Sequence, residues 1–161
     1  MVVDIIADNG IILKPAFHQE KILQTRDLKK AGLKVTGPRV KILHILETQT
    51  ARHLSAEDIY KILLEMGDDA GLATVYRVLT QFESAGLVIR HNFEGGHSVF
   101  ELDDGEHHDH LVCVKCGHVV EFVDPIIEKQ QQMIADTMKF RMTDHSLNIY
   151  GICEDCDAKE N

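Results

Sequence analysis

The four cysteines of the chain form two pairs, Cys113-Val114-Lys115-Cys116 and Cys153-Glu154-Asp155-Cys156, with 36 residues between them. Each C-x-x-C can present two thiolates from one tight knuckle, and two knuckles complete the tetrahedral all-sulfur shell that Zn²⁺ accepts. A redox dithiol or structural disulfides are the alternatives. Two such units in one short stretch suit a metal better, and disulfides are rare in the cytosol. Immediately before the first pair stand His107-His108-Asp109-His110. Along an extended chain side chains alternate, so His107 and Asp109 point one way while His108 and His110 point the other. One tetrapeptide can thus serve two metal sites, with the remaining donors sought among His53, Glu101, Glu121, Glu128 and His145. Mixed imidazole and carboxylate shells suit Fe²⁺, Mn²⁺, Co²⁺ or Zn²⁺ and do not choose among them. His18, His44, His91, His97 and His118 read as ordinary polar histidines.

Such donors need elements to hold them, and the composition supports a folded chain. It has 161 residues, 44% of them hydrophobic, and a mean hydropathy of −0.12, enough for one domain or two small ones around buried cores. No apolar run is long enough to span a bilayer, and Asp4 and Asp8 stand where a secretory signal wants Lys or Arg. The protein therefore reads as cytoplasmic. Its charge is unevenly spread. Met1 to Phe93 carries 12 Lys/Arg against 11 Asp/Glu, whereas Glu94 to Asn161 carries 5 against 15 and holds six of the ten histidines. Charge so divided no longer argues against nucleic acid as an even spread would, and a near-neutral front half joined to an acidic, His-rich half suited to cations predicts two domains with different tasks.

Residues 1–25 show weak periodicity and read as an appendage. A short helix then ends at Gly32, and Thr36-Gly37-Pro38 opens a second with Val40, Leu43 and Leu46 on one face. Ser55 and Asp58 resemble a capping box for a third helix, to Met66, with Ile59, Ile62 and Leu63 inward. A fourth runs from about Leu72 to Ala85 and stops at Gly86. Its stripe Val75, Val78, Leu79 and Phe82 is spaced for burial, leaving Ala73, Thr74, Tyr76, Arg77, Thr80, Gln81 and Ser84 outward. Leu87 to Phe93 and Ser98 to Leu102 read as a hairpin turning at Glu94-Gly95-Gly96-His97, and helices followed by a hairpin suggest a winged helix. After Asp103-Asp104-Gly105 come strands Leu111 to Cys116 and His118 to Val123, a helix from Pro125 to about Met138, and a strand from Ser146 to Ile152. The fold class is α+β, with a winged helix-turn-helix domain at 26–103 and a small α/β domain with the four-cysteine site at 104–161.

No catalytic reading competes. The chain has no Gly-rich phosphate loop, no G-x-S-x-G and no H-E-x-x-H. A hydrolase with an open metal position would leave the Leu72 to Ala85 helix unexplained; a zinc-stapled metal buffer or enzyme whose winged helix contacts another protein is the rival outside this class.

Ala31 to Thr36 with Pro38-Arg39, Ala73 to Leu79, Phe93 to Gly96, His107 to His110 with Cys113 and Cys116, and His145-Ser146-Leu147 closely resemble the ferric uptake regulator family over about Asp27 to Cys156. The resemblance implies a homodimeric winged-helix repressor, with pairing into tetramers left open, that binds AT-rich inverted repeats in double-stranded DNA when loaded with Fe²⁺ and shuts off iron-uptake genes. It implies a regulatory site of His53, Glu101, His108, His110 and Glu121, and a second site of His107, Asp109, Glu128 and His145, in agreement with the alternation argument. Tyr76 and Arg77 resemble the family's base-reading pair and Lys34 its minor-groove contact, with Arg39 a further cation for the phosphates. Peroxide-sensing members place aspartates where this chain has Glu101 and Glu121, so two glutamates favour iron sensing. Zinc- and manganese-responsive members share the same ligand atoms and stay open as alternatives. The departures are the appendage, Pro125 opening the last helix, and His118.

Overall fold

The computed structural model describes residues 5–6, 12–13, 25–49, 53–93 and 98–159. The expected hairpin tip at Glu94-Gly95-Gly96-His97 and most of residues 1–25 lie outside these. The elements in chain order are β1 (Ile5–Ile6), β2 (Ile12–Leu13), α1 (Thr25–Lys30), α2 (Gly37–Thr48), β3 (Leu54–Ser55), α3 (Ala56–Glu65), α4 (Leu72–Ser84), β4 (Val88–Asn92), β5 (Ser98–Leu102), β6 (Asp109–Cys113), β7 (Val119–Val123), α5 (Pro125–Thr137), β8 (Asn148–Gly151) and α6 (Glu154–Asp157). The fold is mixed α and β, in two compact units: Gln19–Glu106, and Met1–His18 with His107–Asn161. No described helix is long and apolar enough to cross a membrane.

The first unit packs α1 to α4 around one core in which Leu28, Ile42, Ile45, Ile59, Leu63, Val75, Leu79, Phe82 and Phe100 are almost wholly buried. The α4 stripe expected from periodicity is the buried one, Val75, Val78, Leu79 and Phe82. Ser55 caps α3 as a reciprocal box: its Oγ accepts from the Asp58 N–H at 3.1 Å, and Asp58 Oδ2 accepts from the Ser55 N–H at 3.2 Å. Gly86 has φ +65°, the left-handed conformation that lets the chain leave α4 and enter β4 at once. A three-stranded antiparallel sheet follows in the order β3-β5-β4. The sequence reading expected only the hairpin; β3 is the addition, a two-residue strand pairing Leu54 with Phe100.

The second unit is a five-stranded sheet in the order β1-β2-β7-β6-β8 with α5. The first residues, read as an appendage, contribute strands after all: β2 pairs antiparallel with β7, Leu13 opposite Phe122, and β1 pairs with β2. The β6–β8 pair is parallel, Cys113 opposite Gly151. Parallel pairing delivers the strands' C-terminal ends to the same edge, so the two cysteine knuckles arrive side by side.

Candidate metal centres and nucleic-acid interface

The four cysteine sulfurs lie within 4.8 Å of one another, and all four cysteines are free thiols. Cys116 Sγ is 3.7 Å from Cys153 Sγ, close to the edge, about 3.8 Å, of a tetrahedron with Zn–S bonds of about 2.3 Å. The first knuckle turns on Gly117, whose φ is +74° and whose N–H donates to the Cys113 carbonyl at 2.9 Å. The Cys153 N–H donates to Cys113 Sγ at 3.4 Å. That bond, with others from the knuckle, lowers the Cys113 thiol to about 6. The crowding sulfurs, Cys153 first and then Cys116, push Cys156 up to about 12. Protons shared among converging sulfurs are what a cation of charge +2 would replace.

A second cluster, also within this unit, joins His107, Asp109, Glu128 and His145. Asp109 is wholly buried in β6, and its Oδ1 accepts from the Leu147 N–H at 3.1 Å. Glu128 follows the α5 N-cap, Asp124, whose Oδ1 accepts from the Ile126 N–H at 2.7 Å. His107 Nε2 lies 3.4 Å from Asp109 Oδ1 and 3.4 Å from Glu128 Oε1. His145 Nε2 comes to 2.9 Å of Glu128 Oε2 yet makes no hydrogen bond, and Asp109 Oδ2 and Glu128 Oε1 are likewise buried without one. Buried polar atoms left this way are costly. Three of them converging from a carboxylate-imidazole set fit a divalent cation.

His108, His110 and Glu121 form a third set. The β6–β7 register puts His110 opposite Glu121; His108 Nε2 is 4.0 Å from Glu121 Oε2, and the two imidazole rings are 4.9 Å apart. All three are buried. The expected alternation along His107 to His110 is therefore realised, each alternate pair lying with its own partners.

In the other unit, His53 and Glu101 come together through the sheet. Leu54 pairs with Phe100, so one step further along the same register brings His53 beside Glu101, with His53 Nε2 3.3 Å from Glu101 Oε2. Glu101 is 1% exposed. Sequence reasoning missed a neighbour: His91, left among the ordinary polar histidines, sits 2.8 Å from Glu101 Oε1 through its Nε2. The signal was the alternation of β4, which puts Ile89 and His91 on one face, with Ile89 opposite Glu101.

On α4, Ala73, Tyr76, Arg77, Thr80 and Ser84 are exposed as the periodicity predicted, with Glu83 exposed among them, while Thr74 and Gln81, also expected outward, are half-buried. Lys34 is exposed in the segment between α1 and α2. Arg39 is engaged inside the protein: its Nε and Nη2 donate to Gln81 Oε1 at 3.3 and 2.8 Å, and its Nη1 to the Lys34 carbonyl at 2.6 Å.

A family model described as Ferric uptake regulator family matches residues 30–150. The chain belongs to this family. Among relatives, the ferric uptake regulation protein of Legionella pneumophila is 70% identical over 133 residues, 83% of this chain and 98% of its own length. Among solved structures, the Vibrio cholerae ferric uptake regulator matches with a TM-score of 0.77 at 56% identity, covering 80% of this chain and 98% of that one. The Francisella tularensis ferric uptake regulator, solved with iron, matches with a TM-score of 0.75 at 47% identity, covering 78% and 96%. The ferric uptake regulator match includes α2 to α5 and every histidine and carboxylate of the three clusters.

Proposed function

We propose that the protein is an iron-responsive transcriptional repressor that binds AT-rich palindromic operators as a homodimer when loaded with Fe²⁺. The observation that carries this reading is an exposed hydrogen-bonding helix face on α4 together with His/Glu donor sets, half-buried His53 with buried Glu101 in one unit and buried His108, His110 and Glu121 in the other. The relatives' name and the iron in the Francisella protein support the choice of ion.

In this reading Gln19–Glu106 is a winged-helix DNA-binding domain and α4 its major-groove helix, with Tyr76 and Arg77 toward base edges and Lys34 toward the minor groove. The second unit is the dimerisation domain. Its Ile126, Ile134, Met138 and Phe140 are each more than 60% exposed, an apolar set of the kind a second copy covers. The four cysteines hold a structural Zn²⁺, and His107, Asp109, Glu128 and His145 hold a second ion.

The regulatory ion takes His53, Glu101, His108, His110 and Glu121 as ligands, and its charge balances the two carboxylates. Because these side chains belong to both units, holding them together favours one arrangement of the paired α4 helices, and successive major grooves are about 34–36 Å apart. Moving such an equilibrium from about 1% to 99% takes about 5.5 kcal/mol of differential affinity. Reciprocally, operator DNA tightens metal binding.

The test is an anaerobic titration of the zinc-containing, otherwise metal-free dimer with Fe²⁺, Mn²⁺ and Zn²⁺, following fluorescence anisotropy of a labelled AT-rich palindrome. Activation by Fe²⁺ at cell-like free concentrations, with Mn²⁺ as surrogate, is expected. Activation by trace Zn²⁺ alone makes the protein a zinc regulator, and binding without metal dependence reduces the His/Glu sets to structure.

A further inference from the structure

Glu101 lies on β5, the central strand of its three-stranded sheet, almost without solvent. Its two oxygens face different imidazoles. Oε2 is 3.3 Å from His53 Nε2, and Oε1 is 2.8 Å from His91 Nε2. A carboxylate accepts, so the shorter contact is a hydrogen bond donated by the His91 Nε2–H. The His91 ring is fixed in turn: it stacks on buried Phe93 with centroids 5.8 Å apart and planes 11° apart, and meets the His53 ring edge-on at 5.7 Å.

From this geometry we infer that His91 is a positioning residue for the regulatory metal site: it anchors Glu101 through Oε1, so that Oε2 is presented beside His53 Nε2 as a one-oxygen ligand. The inference rests on the reading of His53 and Glu101 as ligands given above. A ligating His53 must turn its Nε2 lone pair to the ion and can no longer donate to Glu101. The His91 hydrogen bond then remains to orient the carboxylate. Without it, a buried carboxylate pivots about its last torsion, and the ordering cost falls on metal binding. Partners of this kind to a ligand typically set affinity by about 10–100-fold. Neither β4 nor β5 needs to move for His91 to do this.

The test uses the full chain, zinc-loaded at the cysteines, in a His145→Ala background that removes one donor from the second cluster. Co²⁺ affinity is measured by chelator competition and the ligand field by its visible bands. His91→Gln places an amide N–H near the imidazole Nε2 position, whereas His91→Asn falls short by one methylene and His91→Leu has no donor. Expected are affinity within about threefold of the parent and unchanged bands for Gln, with losses of about 10–100-fold for Asn and Leu. The Asn and Gln variants are both polar and differ by one methylene, so a general packing defect weakens them alike and overturns the inference. Parental affinity in Asn and Leu overturns it too, leaving His91 as packing. A Gln variant as weak as Leu, with shifted bands, also overturns it and makes His91 a ligand itself. Glu101→Ala is the control for the underlying reading: if it leaves Co²⁺ affinity unchanged, the regulatory site fails, independently of His91.

Discussion

The Tyr76 hydroxyl on α4 donates to Glu57 Oε1, in the first turn of α3, at 2.8 Å. A residue assigned to base reading is thus tethered to the neighbouring helix by an acid. The same hydrogen bond, more than any other influence, raises the Tyr76 hydroxyl above its ordinary pKa, so it stays a donor across the physiological range. The tether fixes the ring's direction and, in the proposed DNA-bound arrangement, would keep a negative charge near the phosphates. Glu57→Gln keeps an acceptor and removes the charge; it should tighten binding to operator and scrambled duplex alike, by about 1 kcal/mol at low salt. Glu57→Leu frees the ring and should narrow the difference between operator and scrambled DNA, which anisotropy on both duplexes measures.

The two arginines proposed at the DNA face should separate. Arg77 is exposed, whereas Arg39 braces α4 against the turn before α2 through Gln81 and the Lys34 carbonyl. Arg77→Ala should cost about 1–3 kcal/mol of operator affinity with little change in melting temperature. Arg39→Ala should lower the melting temperature by about 2–4 °C for about 1 kcal/mol of lost bonding, as well as weakening DNA binding. Unchanged operator affinity in a folded Arg77→Ala protein would misplace the reading helix.

Ser55 follows His53 by two residues and caps α3. Ser55→Ala should destabilise the helical unit by about 1 kcal/mol, while Ser55→Thr or Ser55→Asn restores most of it. Thermal melts of the zinc-loaded, otherwise metal-free protein isolate this from metal binding.

Zinc uptake by the demetallated cysteine site should depend on pH in two regimes. Cys113 titrates at about 6 and Cys156 at about 12. Above pH 6 the Cys113 thiolate is already formed and releases no proton to the metal. Below pH 6 it must, and log K should fall by about one further unit per pH unit. Chelator competition between pH 5 and pH 8 reads the change in slope, and a constant slope would contradict the assignment. Stripping the zinc should loosen the β6–β8 end of the sheet and, in the proposed homodimer, weaken the contact between copies, detected as dissociation or aggregation.

What could be read from the sequence follows from how local each signal is. Alternation along His107 to His110 and the 3.6-residue stripe of α4 depend on a few consecutive residues, and both stand as expected. His91 depends on something else. Its partner Glu101 is ten residues away across a strand pair whose register a sequence does not display, and His53 reaches the same carboxylate only through β3, two residues long. Arg39 reads as a free cation until Gln81, 42 residues later, is seen beneath it. Likewise β1 and β2 are too short to carry a periodicity, and only the pairing of β2 onto β7 and of β1 onto β2 defines them.

That pairing bears on how many copies of the chain can join through their sheets. A sheet with two long bare edges is a tile that can be laid end to end without limit. Among the described residues, β7 is overlaid by β2 and then by β1, each described over two residues, while β8 spans four on the other side. Short edges are poor templates for strand addition. With β7 covered in this way, strand addition on that side of the described sheet is disfavoured, and copies of the chain are not expected to join there.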